Sequence, residues 1–496
     1  MKSLRTLISG AFVYGIGDVM LFGIGYLVMI PLLTHYLTPE QYGIVATLNM
    51  LSVFLVAILQ VGLPSAAFRF WYLQKSAESR KSYMAGIGVM SVTLAAGLAF
   101  VLLGFGRPLW EAAMPHASFG TFAPYIVWGA VLQVVIGYKS VLLRALDRSR
   151  WFITLDVLQF ITMLVAVWYQ VAVLSGGVEG QIKGVFYTQA VFAVISGSIV
   201  FGICGLHMPR TDVARSLFFA VPVFVTGIVS LLATRSTVLI AQRYVAGAEV
   251  GLLALGMQIG YLLQLGAGSF EKAWQPFLYS RDPERARMSL RAILRLAAPA
   301  FTIAAMTLAL FAPEIIHVAS SPDYAEAWGI VGIAAFGALC AALSSIANGG
   351  LYYATRSGAS LVVTSTAAAA NLVLCWFLIP QWGIAGAAMA MALSAVVSLT
   401  FMFIAVRKIF DRGLGVAPVF GTICLGLTLT VIVFKVCSLA AGHLWLVWTC
   451  KLSGIAIYVL AIWRPMCYPA LTELLRSSHD RVTEVEATRM LSTKRT

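Results

Sequence analysis

Apolar residues along this chain arrive in runs of about 20, the length a helix needs to cross the bilayer core. Fourteen such windows lie near 10–33, 43–63, 84–105, 122–141, 151–174, 184–206, 217–240, 251–270, 292–313, 326–348, 358–379, 383–405, 416–437 and 443–463. None carries the strict alternation of a barrel strand, so each predicts a helix. The eleventh and twelfth are parted only by Pro380–Gly383, which predicts a tight hairpin. Connections between windows are short. The first window follows Lys2 and Arg5 as a signal peptide would, but it runs on to Leu33 without a small-residue cleavage site and predicts a retained span.

Composition sharpens this picture. Of 496 residues, 60% are hydrophobic and 11% charged, where a soluble domain carries about 25% charged. A soluble enzyme, a disulfide scaffold and a disordered chain are excluded. The expected class is an all-α polytopic membrane protein with about 14 transmembrane helices. The seven cysteines form no C-x-x-C pair and read as small buried hydrophobes.

Charge supplies an independent test of the span count. With the N-terminus inside, Lys and Arg fall 28 to inner and 4 to outer segments, with Arg235 and Lys451 inside spans. Moving the register by one span destroys that asymmetry. The positive-inside rule therefore predicts a multi-pass membrane protein with both termini cytoplasmic. Its net charge of +14 faces anionic lipid headgroups and implies no nucleic-acid partner. Trp71, Trp110, Trp151, Trp274, Trp382 and Trp463 stand at predicted span ends, as an interfacial belt would.

A long internal repeat is also present. Tyr36–Ala46 lies without gaps on Tyr244–Ala254, 208 residues on. At a separation of 206, the Arg69 region lies on Trp274–Tyr279, Arg150 on Arg356 and Gly180 on Gly386. Six spans separate the copies, so both run in the same direction. The expected organisation is two pseudo-symmetric six-helix lobes, residues 1–216 and 217–412. Two additional helices in 413–464 and a polar cytoplasmic tail, 465–496, follow. Repeats of this kind mark transporters that bind substrate between their halves.

Several blocks resemble the Wzx-type flippases of the multidrug/oligosaccharidyl-lipid/polysaccharide exporter superfamily. They are Tyr36-Leu-Thr-Pro-Glu-Gln-Tyr-Gly43, Gly62-Leu-Pro-Ser-Ala-Ala-Phe-Arg69, Phe311-Ala-Pro-Glu-Ile-Ile316, and Asn371 to Pro380 with Gly383-Ile-Ala-Gly-Ala-Ala388. The resemblance spans roughly residues 10–410. It implies lobes around a central cavity open to one side at a time, and as substrate an undecaprenyl-diphosphate-linked oligosaccharide moved by alternating access. Sugars and diphosphate cannot cross hydrocarbon, while the polyprenyl tail stays among membrane lipids. A polysaccharide polymerase and chain-length machinery are the implied partners, in O-antigen, lipopolysaccharide, capsule or exopolysaccharide assembly. One departure stands out. Where many relatives carry an Asp-Arg pair before the external turn that follows the seventh span, this chain has Thr237 and Val238, with Arg235 two residues earlier.

Charges within spans are costly and mark cavities or partners. Arg235, Arg69, Arg291 and Arg295 are the candidate cationic cavity residues, suited to bidentate bonds with a diphosphate; lipid snorkelling or inner-face anchoring is the competing use. Asp18, among the glycines of the first span, is a candidate coupling site or charge partner. Lys139 and Asp156 are placed to pair with each other, as a structural salt bridge before a site. Lys451 reads as a packing contact. Ser344, Ser345 and Asn348, and Thr364, Ser365, Thr366 and Asn371, suit sugar hydroxyls or, more commonly, helix–helix bonding.

Three functions compete: a lipid-linked oligosaccharide flippase, an ion-coupled multidrug or organic-cation antiporter of the same fold, and a membrane glycosyltransferase. The excess of basic candidates over acids favours an anionic substrate. No catalytic acid cluster or large external loop suits an enzyme. No cofactor or metal is expected, only a proton or sodium gradient.

Overall fold

The computed structural model describes residues 25–114, 117–146, 148–205, 213–279, 282–354, 356–410, 416–439 and 444–469. Asp18, most of the first predicted span and nearly all of the tail lie outside them. Among the described residues the secondary structure is helical, with no strand. Twelve helices there are long and apolar enough to cross a membrane. One of them, 51 residues long, reverses at Gly383, whose φ of 54° and ψ of −132° leave the helical region. Gly386 then packs on the Leu378 carbonyl so tightly that a Cβ would overlap it. The expected hairpin is formed.

The chain divides into two compact units. The first gathers the described residues up to Leu255 with His317–Ala327 and Ala368–Ala390. It holds α1 (Gly25–Tyr36), α2 (Pro39–Gln60), α3 (Leu63–Trp71), α4 (Ala77–Phe105), α5 (Arg107–Ala113), α6 (Phe119–Ala145), α7 (Ser149–Trp168), α8 (Gly177–Cys204), α9 (Val213–Ala241) and the start of α10 (Gly247–Tyr279). Leu48, Leu63, Met84, Ala123 and Leu142 are among its fully buried core residues. The second unit holds most of α10, then α11 (Pro283–Leu310) and most of α12 (Ala312–Ala319). It adds α13 (Trp328–Tyr353), the outer parts of α14 (Ser357–Phe410), α15 (Val416–Leu439) and α16 (Leu444–Ile462). There α11 packs on both α13 and α15.

Local chemistry explains the helix starts. Thr38 and Gln41 form a reciprocal capping box ahead of α2, with Oγ1 accepting from the Gln41 amide at 3.3 Å and Oε1 from the Thr38 amide at 3.1 Å. Pro39 occupies the first helical position, where its missing N–H is harmless.

Three expectations are corrected. The second span does not run unbroken to residue 63: α2 ends at Gln60, Val61 and Gly62 adopt φ of 47° and 69°, and α3 follows. The Ala220 carbonyl lies where a Gly62 Cβ would be, so α9 presses on the break. The aromatic belt is only half formed. Trp151, Trp382 and Trp463 are exposed, but Trp71, Trp110 and Trp274 are core residues at about 5% exposure, and Trp110 Nε1 donates to Ala117 O at 2.8 Å. Finally, the turn equivalent to Arg356 is Arg148, not Arg150. The Arg148 amide bonds Leu143 O and the Arg356 amide bonds Leu351 O, each at 2.9 Å.

The repeat itself is written into the backbone. Gly177 and Gly383, 206 residues apart, both take φ of 54°, a left-handed value that suits glycine.

Candidate functional site

The short helix α3 and the start of α9 bring basic and aromatic residues together at one end of the first unit. The Arg69 guanidinium stands 5.4 Å from the Phe219 ring centroid, and Arg215 stands 5.5 Å from that of Phe70. Phe70 and Phe219 meet edge to face at 5.9 Å, so two cations flank a crossed aromatic pair. Arg144, at the end of α6, lies 5.7 Å from the Phe68 ring. Residue spacing produces this: Phe68, Arg69 and Phe70 share the last turn of α3, while Arg215 and Phe219 are one turn apart on α9. Tyr83 Oη and Ser216 Oγ, 2.7 Å apart, tie α4 to the same point of α9.

Stacking on the rings holds Arg69 and Arg215 by the guanidinium face and leaves their N–H edges available, while Arg144 Nε donates to Ser140 O at 3.1 Å. An edge-on guanidinium is the donor set that a phosphate or carboxylate accepts bidentately. Arg69 was legible as a candidate; Arg144 and Arg215 were not, because in the sequence they look like ordinary inner-face anchors.

Arg235 is half-buried on α9. Its neighbours Ser236 and Thr237 belong to a buried network with Asn371, whose Nδ2 donates to Ser236 Oγ at 3.1 Å and to Thr237 Oγ1 at 3.2 Å. Asn371 is therefore helix–helix bonding. Thr364 and Thr366 are likewise satisfied, by the carbonyls of Ser360 and Val362 in their own helix.

Lys139 and Asp156 do pair. Nζ donates to Oδ1 at 2.8 Å, with the lysine fully buried. Beside it, the Ser91 and Tyr138 hydroxyls lie 2.5 Å apart.

In the second unit Arg291 and Arg295 share a face of α11, and both are half-buried. The Arg291 Nε is buried with no hydrogen-bond partner among the described residues. So are Trp274 Nε1 and Asn348 Oδ1. Ser345 donates to Glu271 Oε2 at 2.5 Å, and Ser344 and Ser398 hydroxyls lie 3.0 Å apart. Lys451 does make a packing contact: it pairs with Glu314 Oε1 at 2.5 Å, 5.2 Å from the Phe311 ring. No cluster of His, Cys, Asp and Glu able to hold a metal occurs among the described residues.

Known proteins bear on this arrangement. A family model described as "Polysaccharide biosynthesis protein" matches residues 7–281, while no curated protein matches. Among solved structures, the lipid II flippase MurJ in an inward closed conformation superposes with a TM-score of 0.69 at 14% identity, covering 92% of this chain and 99% of that one. An inward-facing multidrug resistance MATE family transporter of the MOP superfamily gives 0.60 at 15%, covering 83% and 95%. A Vibrio cholerae MATE transporter gives 0.52 at 14%, covering 84% and 99%.

Proposed function

Because the chain belongs to the polysaccharide biosynthesis protein family, we propose that it is a flippase carrying an undecaprenyl-diphosphate-linked oligosaccharide across the bacterial cytoplasmic membrane. Lobes of residues 1–216 and 217–412 alternate access, with both termini cytoplasmic. The observation that carries this reading is the Arg69–Arg215 pair on the Phe70–Phe219 rings. Two guanidiniums with free edges suit a diphosphate, and the charge rule puts them on the side where such a lipid is made. An organic cation would instead require acids, and no acid is paired with either arginine in the contacts above.

Arg235 in the first unit and Arg291 and Arg295 in the second are further candidate substrate-binding cations. A proton or sodium gradient supplies the driving force, with Asp18, Asp156 and Lys139 as candidate coupling or charge-partner residues. The product feeds a polymerase and chain-length machinery for O-antigen, capsule or exopolysaccharide.

The test uses the full chain in proteoliposomes containing a polyprenyl-diphosphate oligosaccharide. Arg69→Ala and Arg215→Ala each lower translocation at least tenfold, Arg235→Ala lowers it measurably, and lysine at 69 or 215 retains part of it. Undiminished translocation in both alanine variants, or uptake of an organic cation in place of the sugar lipid, overturns the reading.

A further inference from the structure

The short helices α5 and α12, one in each repeat, end on carbonyls that their own helices cannot satisfy. In α5 the last carbonyl, Ala113 O, accepts from the Gln242 side-chain amide. Arg243 adds bonds from Nε and Nη2 to Ala112 O at 3.2 and 2.6 Å. In α12 the last carbonyl, Ala319 O, lies 3.3 Å from Thr34 Oγ1.

Thr34 and Gln242 are separated by 208 residues, the interval that lays Tyr36–Ala46 on Tyr244–Ala254. Each repeat thus reaches into the short helix of the other. The next turns repeat the exchange. A Cβ on Gly43 would lie 2.5 Å from Gly247 O, and one on Gly251 would overlap Pro39 O. Pro39 and Gly247 are again 208 residues apart. Contacts that interchange in this way are isologous, as around a two-fold axis. All of these atoms lie within the first compact unit.

The two halves are unequal in strength. Thr34 has one hydroxyl proton and is 2.8 Å from Ile30 O of its own helix, so its bond to Ala319 is the weaker branch. Tyr324 Oη strengthens that half by donating to Leu37 O at 2.8 Å. The other half carries a charge-assisted fork from Arg243.

We propose that Gln242, Arg243, Thr34 and Tyr324 are gate-positioning residues. They form a reciprocal latch that holds the repeats together at the end the charge rule places outside, and it must release its carbonyls before that end opens. Donors from one repeat gripping helix ends of the other can be undone without unfolding either.

This inference rests on the transport reading, but its test needs no substrate, so either can fail while the other stands. Thr47, 2% exposed, lines a small pocket behind the latch together with Gly43, Gln242 and Gly247. In full-length protein with its native cysteines replaced, reconstituted in vesicles, Thr47→Cys is labelled from outside with a membrane-impermeant maleimide. Ala95→Cys, in the core of the same unit, is the control. Combined Gln242→Ala and Arg243→Ala speed labelling at position 47 at least fivefold with no change at 95. Thr34→Val with Tyr324→Phe gives a smaller rise. Unchanged labelling at 47 in both variants overturns the latch. Equal acceleration at 47 and 95 also overturns it, because the four residues would then be merely structural.

Discussion

Gly43 and Gly251, 208 residues apart in sequence, touch backbone to backbone: a Cβ on Gly43 would come within 2.9 Å of the Gly251 amide nitrogen. Two helices running in the same direction meet there at equivalent points of the repeat. Only residues without side chains allow the approach. Gly251→Ala and Gly43→Ala therefore overpack the crossing, at a cost of about 1–3 kcal/mol each. Thermal unfolding in detergent measures it as a lowered midpoint. Gly104→Ala is the contrast: nothing lies within 4 Å of its Cβ position, and the helix gains about 0.5–1 kcal/mol.

Lys139 and Asp156 predict a second outcome. Asp156→Leu strands a fully buried ammonium and costs about 3–5 kcal/mol, whereas removing both charges as Lys139→Leu with Asp156→Leu recovers most of that loss. A double-mutant cycle on unfolding midpoints checks it. Destabilisation of the double variant equal to the sum of the singles would exclude a coupled pair.

Asn371 joins α14 to α9 through two hydroxyls. Asn371→Leu costs about 1–3 kcal/mol. That is limited because Ser236 also bonds Leu232 O, at 2.6 Å. Asn371→Asp buries a negative charge and costs more at neutral pH. Its deficit shrinks in acid, where the neutral carboxyl donates again. Unfolding midpoints of the two variants at about pH 7.5 and about pH 5 separate them by sign.

Gly177 and Gly383 share a φ of 54°. Alanine at either position destabilises by about 1–2 kcal/mol through backbone strain alone. The two effects add within about 0.5 kcal/mol if the turns are independent, as measured on the single and double variants.

The hairpin at Gly383 and the spans were legible in the sequence because hydrocarbon tolerates only helices and closed barrels, the runs lack a barrel strand's alternation, and glycine announces a left-handed turn. The repeat was legible too, since Gly43 and Gly251 fall at matching places. Arg69 was found as a candidate, but its ring partner Phe219 and its companion Arg215 were not. They lie about 150 residues further along the chain, and no local periodicity links them. Nor could the interfacial placing of Trp71, Trp110 and Trp274 survive, because a tryptophan at a span end faces either headgroups or a neighbouring helix.

By itself, then, the sequence determined that this chain crosses a membrane many times, which loops carry its positive charge, and that its helices repeat after six. Those are properties of runs and intervals, which transfer free energies and the charge rule read directly. Which side chains meet was decided only by the tertiary structure. Lys139 with Asp156, Asn371 with Thr237 and Gln242 with Ala113 depend on helix rotation and crossing, and those are set by close packing of many side chains at once.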